Sequence, residues 1–356
     1  MSEFKVEVRA IEEVRAHPQA DRLDLCQVEG LDFQFVYAKD KLRAGDAVVY
    51  FPVDSLLPPA LIQRMGLEGK LSGKEKNRVK TIRLRGEISQ GVVMPLGDLG
   101  DFLTGQEEPG ADVTERLGVG KYERPEPHSQ EGILSRLPDF MGVYDLEGSE
   151  RNREVVQILL ERPVCITEKI EGTNYSISLD IGKDAILVNQ HHHTIVEVEG
   201  KRENSFWQAT REYDIPRAIR EMARLLAAQR NITAYGELIG PGIQGNIYGL
   251  PKKRVLFYDI FADGQWIPVE RKVQAIAGST AHVGYGALVP VLAQDVTLAA
   301  WLDGRTLKAA SDGQSALRNV AREGIVITPM VEGRHERIGR LILKQRSPDY
   351  LAKSDA

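Results

Sequence analysis

Cysteine is nearly missing: Cys26 and Cys165 are the two in 356 residues. They have no metal-type spacing and build no disulfide framework, which fits a reducing, cytoplasmic setting. Long apolar runs are missing too. None approaches the roughly 18 residues that cross a bilayer, so no membrane partner is expected. The stretch Met1-Ser2-Glu3-Phe4-Lys5 lacks the basic-then-apolar layout of a signal peptide. Internal repeats and low-complexity segments are absent. No Gly-x-x-x-x-Gly-Lys-Ser/Thr loop occurs, which excludes a nucleotide held in the P-loop manner. Surplus positive charge is lacking as well: the formal net charge is −5, so any contact with nucleic acid depends on local patches.

What remains is ordinary for a globular chain, with 42% hydrophobic and 27% charged residues and length enough for two cores. From Phe4 to Leu96, short apolar alternations recur between glycine, proline and charge. Val6–Ala10, Phe33–Tyr37 and Ala47–Phe51 are examples. Closely spaced strands of this kind predict a small β-barrel. Two stretches within it, His17-Pro18-Gln19-Ala20-Asp21-Arg22-Leu23 and Leu84-Arg85-Gly86-Glu87-Ile88-Ser89-Gln90-Gly91-Val92, resemble the OB-fold tRNA-binding domains of some aminoacyl-tRNA synthetase subunits and free tRNA-binding proteins. Between them Lys70, Lys74, Lys76, Arg78, Lys80, Arg83 and Arg85 are opposed only by Glu75. If Lys76–Lys80 is extended, alternation places Lys76, Arg78 and Lys80 on one face. That face, continued by Arg83 and Arg85, suits a phosphate backbone. Aromatics are not interleaved there, so a duplex or structured RNA is expected rather than a stacked single strand.

Residues 97 to about 127 are rich in glycine, proline and acid, which reads as a boundary. The expected order is an OB domain over 1–100, a linker over 101–130 and a second domain over 131–356. In the second part, Glu154–Leu160 and Pro216–Arg230 have helical periodicity, the latter with Ile219, Met222, Ala223 and Leu226 on one face. The expected fold class is α+β: a barrel followed by antiparallel sheets with flanking helices.

The chain's most telling stretch is Thr167-Glu168-Lys169-Ile170-Glu171-Gly172-Thr173-Asn174. It lies between the apolar run Val164-Cys165-Ile166 and the alternating Tyr175–Leu179, so Lys169 falls at a strand-to-strand junction. By itself the pattern is met by any solvated lysine in a turn. Downstream, though, come Gly236-Glu237, Phe257-Tyr258-Asp259-Ile260, Glu323-Gly324-Ile325-Val326 and Lys344-Gln345-Arg346, each at a predicted strand. Acids beside glycine are seldom buried unless paired.

In this order the set resembles the covalent nucleotidyltransferase superfamily of DNA ligases, RNA ligases and mRNA capping enzymes. Gly172-Thr173-Asn174 after the lysine is similar to the RNA ligase 2 branch. An OB domain placed first is similar to the Deinococcus-type RNA ligases. The resemblance implies an ATP-grasp-like ligase domain, ATP as cosubstrate with AMP carried on Lys169, and Mg²⁺ or Mn²⁺. It further implies sealing of nicks in RNA or RNA-containing duplex; a monomer is expected, though no residue decides the oligomeric state. Lys344, Arg346 and Glu323 would act with Lys169, and Glu168, Ile170, Glu171, Gly172, Asn174, Glu237 and Val326 would bind the nucleotide. Phe257 or Tyr258 would stack on adenine, since alternation lets only one face the pocket. Glu323 and Asp259 are the implied metal ligands.

A lysine amine at pH 7 is neutral only about once in 2,500. A nucleophilic lysine therefore needs cations beside it, and Lys344 and Arg346 are the candidates. One departure is the absence of an arginine near Asn189-Gln190-His191-His192-His193, where relatives carry one for the nick. Either His191 or His193 substitutes, or the contact is made differently. Alternation would set His191 and His193 on one face, and no further Cys or His is spaced to complete a zinc site. Rival readings are a capping-type guanylyltransferase and a non-catalytic tRNA- or RNA-binding protein.

Overall fold

A computed structural model describes residues 4–123, 133–141, 144–197 and 204–353. The chain divides into two compact units. One holds Met1–Arg124, Gly148–Glu154 and Pro348–Ala356; the other holds Pro125–Glu147 and Val155–Ser347.

The first unit is built on an antiparallel sheet of Gln34–Ala38, Leu23–Val28, Glu7–Ala16, Ala47–Phe51 and Val92–Pro95, in that order. Its strands carry the alternation seen in sequence and bury Val8, Val49, Phe51 and Met94 on one side and Ile11, Cys26, Phe35 and Val48 on the other. The linker expected from residue 101 is corrected here. Val113, Leu117 and Val119 lie in the same core as Val8 and Phe51, so this segment is part of the unit rather than a tether. Its glycines mark turns, Gly105, Gly110 and Gly118 having positive φ, and not a flexible stretch. The remainder of the expected linker, with Pro125 and Pro127, lies outside the described residues.

The second unit carries two sheets. In the larger, Ile133–Arg136, His193–Val196, Ala185–Asn189, Thr173–Asp180, Asn231–Ile239, Arg254–Ala262 and Gln265–Trp266 follow one another, all antiparallel. Helices Ser205–Glu212, Ile215–Leu226 and Val269–Ser279 cover one of its faces. Ile219, Met222, Ala223 and Leu226 form the buried stripe that helical spacing predicted. In the smaller sheet Leu343–Arg346, Gly324–Pro329, Pro163–Lys169 and Val291–Thr297 lie side by side. Its inner face packs Ile166, Ile325, Ile327 and Leu343 against Val155, Leu159 and Leu298. No helix among the described residues is long and apolar enough to cross a membrane.

Candidate active site

Strand register assembles the site. Lys169 stands opposite Gly324, which stands opposite Arg346; Val326 stands opposite both Thr167 and Lys344. Residues directly opposite share a face, so Lys169, Val326, Lys344 and Arg346 are delivered to one side of the smaller sheet. Glu323, the residue before Gly324, meets Lys169 with Oε1 2.8 Å from Nζ. Gly324 has φ +155°, and a Cβ there would lie 2.2 Å from the Gln345 carbonyl oxygen. Glycine is what lets the strands close behind the Lys169–Glu323 pair.

The larger sheet supplies the other wall. Asn174 is opposite Glu237. Gly172 permits the approach, because a Cβ on it would sit 2.5 Å from the Leu238 carbonyl oxygen. Burial pushes the Glu237 carboxyl up to about 8, Lys169 pulling against this and Glu323 adding to it. Burial likewise pushes the Lys344 ammonium down to about 8, with Arg346 and Lys169 as repelling cations. Lys344 and Arg346, the cations expected beside Lys169, thus stand on its face of the smaller sheet.

The choice between Phe257 and Tyr258 is made by a β-bulge. Tyr235 pairs with Asp259 and the next residue, Gly236, pairs with Phe257, so Tyr258 is the extra residue. Phe257 shares its face with Gly236 and is sealed in the helix-covered core beside Tyr175, which removes it as a nucleotide contact. Tyr258 keeps partial exposure, and its hydroxyl accepts from Asn174 Nδ2 at 3.1 Å.

Three further expectations are corrected. Glu168, one residue off Lys169, is turned to the opposite face and buried, where it accepts the Ala316 amide at 2.8 Å. Ile170 is buried with Ile239, Tyr248, Leu256 and Val289. Asp259 is no metal ligand: fully buried, it accepts from Lys272 Nζ (2.9 Å), Arg340 Nη1 (2.5 Å) and the Tyr144 hydroxyl (2.8 Å). Burial alone would raise its carboxyl, but Lys272 and Arg340 overcome that and hold it below the usual range.

Glu237 and Glu323 offer carboxylate oxygens of the kind a hard divalent cation takes, and Glu323 is close enough to add to the rise of the Glu237 carboxyl. No group of three or more metal-ligating side chains stands together among the described residues. The donor set suits a hydrated cation shared with phosphate oxygens, not an all-protein cage.

The histidines do not lie along one strand. Ala185–Asn189 ends and His193–Val196 begins on either side of a turn closed by Gln190 N to His193 O at 2.9 Å. His191 faces Asp145, Nε2 to Oδ2 3.6 Å, and their rings bring His191 and His192 to 4.0 Å. Asp145 also lies in electrostatic reach of Lys344. His193 is exposed and pairs with Arg136 at the sheet's edge.

In the first unit the two barrel motifs meet, the His17 ring 3.1 Å from the Leu84 carbonyl oxygen. The extended cationic face predicted over Lys76–Lys80 does not form. Lys76 sits in a turn with φ +52°, and Arg78 is spent on the fold. Its guanidinium grips Asp54 at 2.9 and 2.7 Å and stacks 3.6 Å from the Tyr122 centroid. Lys80 is half-buried and also engaged. Arg83 is tied to the Gly86 carbonyl and to Asp349. Lys74, Lys76 and Arg85 remain exposed, Arg85 at the tip of the Ile82–Leu84/Glu87–Ser89 hairpin, where it and Gly86 supply the positive φ of a two-residue turn.

Residues that went unnoticed in sequence include Tyr248, Asp145, Lys272 and Arg340. Lys272 had a legible signal: with Val269, Ala275 and Ile276 it occupies the buried stripe of its helix, where an unpaired lysine is out of place.

Residues 5–96 match an OB-fold domain family. A 91-residue stretch is 35% identical to the phenylalanine–tRNA ligase beta subunit of Halalkalibacterium halodurans, covering 25% of this chain and 9% of that protein's length. Over nearly the whole chain the fold is similar to Naegleria gruberi RNA ligase. A mutant of that enzyme with AMP and Mn gives a TM-score of 0.78 at 25% identity, with 99% of each chain covered. The same ligase with PPi gives 0.77 at 26% identity, covering 99% of this chain and 98% of the other. Residues 162–345, which contain Lys169, Glu237, Glu323 and Lys344, match the RNA ligase family. With more than half its length in that match, the chain belongs to the RNA ligase family.

Proposed function

We propose that this protein is an ATP-dependent RNA ligase that carries AMP on Lys169. It joins a 5′-phosphate to a 3′-OH at nicks in duplex RNA or RNA/DNA hybrid, with RNA on the 3′-OH side. The observation that carries the reading is the Lys169–Glu323 pair at 2.8 Å, set on the sheet face that also bears Lys344 and Arg346. The similar Naegleria gruberi ligase structures with ATP or AMP and Mn support the choice of nucleotide and cation.

In the first step Lys169 leaves its ion pair and its nitrogen attacks the α-phosphorus of ATP. The N–P bond forms as the bond to the bridging oxygen breaks, and pyrophosphate departs with the electron pair. The lysine nitrogen sheds one proton before attack and one as the phosphoramidate forms. Lys344 and Arg346 face the charge that builds on the phosphates, where fixed cations in a buried site act most strongly. Glu323 and Glu237 would hold the divalent cation, which supplies charge neutralisation at the triphosphate. Tyr258, steadied by Asn174, stacks on adenine, with Val326 as the opposite wall.

In the second step an oxygen of the RNA 5′-phosphate takes AMP from Lys169, breaking the N–P bond. In the third, the 3′-OH attacks that 5′-phosphorus and AMP leaves. His191, held by Asp145 near Lys344, serves the 5′-phosphate in place of the arginine that relatives carry. Lys74, Lys76 and Arg85 in the first unit meet the RNA backbone.

The test is incubation with α-labelled ATP or GTP, separately, for wild type and Lys169→Ala. Covalent label that survives denaturing electrophoresis is expected from ATP, and on wild type alone. Label from GTP alone would replace this reading with a capping-type enzyme, and RNA binding with no adduct would leave a non-catalytic RNA-binding protein. Nicked duplexes with RNA or DNA at the 3′-OH then test the end: equal sealing of all-DNA nicks would overturn the RNA requirement.

A further inference from the structure

We infer that Tyr248 is a positioning residue for the nucleophile, acting through the turn that follows Lys169; this rests on the reading of Lys169 as the AMP acceptor. Residues 240–250 follow the Asn231–Ile239 strand, and their backbone is unusual. Gly240, Gly242, Gln244, Gly245, Asn246 and Gly249 all have positive φ, between 43° and 119°. Gln244 and Asn246 bear side chains in a region that L-residues seldom adopt, and such conformations persist only where surrounding bonds impose them. Those bonds are present. Ile243 N donates to Gly240 O, Asn246 N to Ile243 O and Gly249 N to Asn246 O, at 3.0, 2.8 and 2.8 Å. The Asn246 side chain both accepts from Leu250 N and donates to Leu250 O, each at 3.0 Å.

This rigid loop delivers Tyr248 beneath the nucleophile turn. The ring is buried, 4% exposed, against Ile170, while the hydroxyl accepts the Glu171 amide at 2.8 Å. One side chain therefore holds both residues that come directly after Lys169. The neighbouring Gly249 reaches the second half of the site. A Cβ on it would collide with Arg318 Nη1 at 1.6 Å, and Leu317 and Val320 pack on the same cluster as Tyr248. That segment runs into Glu323, the partner of Lys169. Tyr248 and Gly249 thus touch both stretches whose relative placement sets the Lys169–Glu323 geometry. A phenylalanine would fill the same space as Tyr248, so the hydroxyl's bond to the turn is what the tyrosine adds.

The experiment measures single-turnover formation of the AMP adduct by the full-length chain and its Tyr248→Phe variant. Tyr285→Phe is the control: its ring packs on the same cluster as Tyr248, but its hydroxyl bonds the main chain of the Arg254–Ala262 strand, Val255 N at 3.0 Å and Val255 O at 3.2 Å, and not the turn. Misplacing a nucleophile costs rate steeply, so Tyr248→Phe should adenylylate about tenfold more slowly, with ATP binding in a Lys169→Ala background within about twofold. Both tyrosine variants should melt alike. The inference is overturned if Tyr248→Phe keeps the wild-type rate, if Tyr285→Phe slows as much, or if weakened ATP binding accounts for the loss. A wild type that forms no adduct would instead overturn the parent reading and this one with it.

Discussion

Glu237 and Lys344 each sit in an environment that resists their charge, and the two respond in opposite pH windows. Glu237 rises from an ordinary 4.5 to about 8, so between those values the folded chain holds a proton that the unfolded chain has lost. Stability contributed by Glu237 therefore falls as pH rises through that window. Lys344 drops from 10.5 to about 8; there the folded chain binds fewer protons, and stability rises with pH between the two values. Glu237→Gln should gain stability over wild type on going from pH 5 to 8, and Lys344→Met should be most stabilising below pH 8 and lose that advantage by pH 10.5. Denaturant midpoints across pH check both, and a pH-independent difference would show that neither group titrates as argued. Both variants should lose adenylylation, the usual exchange of stability for function at a strained site.

The basic run separates by residue in the same way. Arg78→Ala removes the Asp54 ion pair and the Tyr122 stack, so it should lower the midpoint of unfolding. Lys76→Ala should leave stability within about 0.5 kcal/mol. It should instead reduce the slope of log affinity against log salt for RNA, by about 0.7 to 0.9 per lost phosphate contact. A salt slope unchanged in Lys76→Ala would take this lysine out of the RNA contact. The positive charges were plain in the sequence; which of them had been spent on Asp54 was not, because that partner depends on how the loop folds back.

At the scale of elements, the bulge at Tyr235–Gly236 and the buried charges around Asp259 decide what the aromatic-acid strand presents. Asp259 joins the Arg254–Ala262 strand to helix Val269–Ser279 through Lys272, and to Arg340. Removing one partner of a buried ion pair leaves the other charge uncompensated, typically at about 3–5 kcal/mol. Asp259→Ala should therefore destabilise by roughly that amount in urea titrations. A small effect on stability together with a changed metal requirement for adduct formation would restore Asp259 as a ligand. Period-2 patterning announced the strands that bear the candidate residues, and it required Phe257 and Tyr258 to face opposite ways, as they do, Phe257 buried and Tyr258 partly exposed. It could not say which would be buried, since a single bulged residue reverses the alternation. Likewise His191 and His193 read as one face until the turn at Gln190–His192 broke the strand between them.

For the whole molecule, domain order in the chain is not domain membership in space. Gly148–Glu154 and Pro348–Ala356 belong with the first unit although the second supplies the chain between them. The ties are specific: Arg153 to Glu12 at 2.8 Å, Asp32 N to Glu150 O at 2.8 Å, and Arg83 to Asp349. The segment read as a linker behaves as core. Leu117→Ala in the full-length chain should cost about 2–5 kcal/mol, the range of buried leucines, where a linker residue would cost under about 0.5. A midpoint of unfolding unmoved by Leu117→Ala would return residues 101–123 to the role of a tether.

Sequence alone determined the order of the parts, and their resemblance to a known superfamily supplied the chemistry expected of them. Lysine, glutamates and cations stand in order at predicted strands, and Gly172 beside Lys169 marks a close turn; the superfamily they resemble is what joins them into one site. Tertiary structure alone decided which of these groups meet. Lys169 and Glu323 are far apart in the chain yet 2.8 Å apart in space, and Glu168 is turned away by the same register that brings Lys344 in. Burial is a property of the packed whole. The raised Glu237 carboxyl, the lowered Lys344 ammonium and the occupied oxygens of Asp259 follow from neighbours that no sequence window contains.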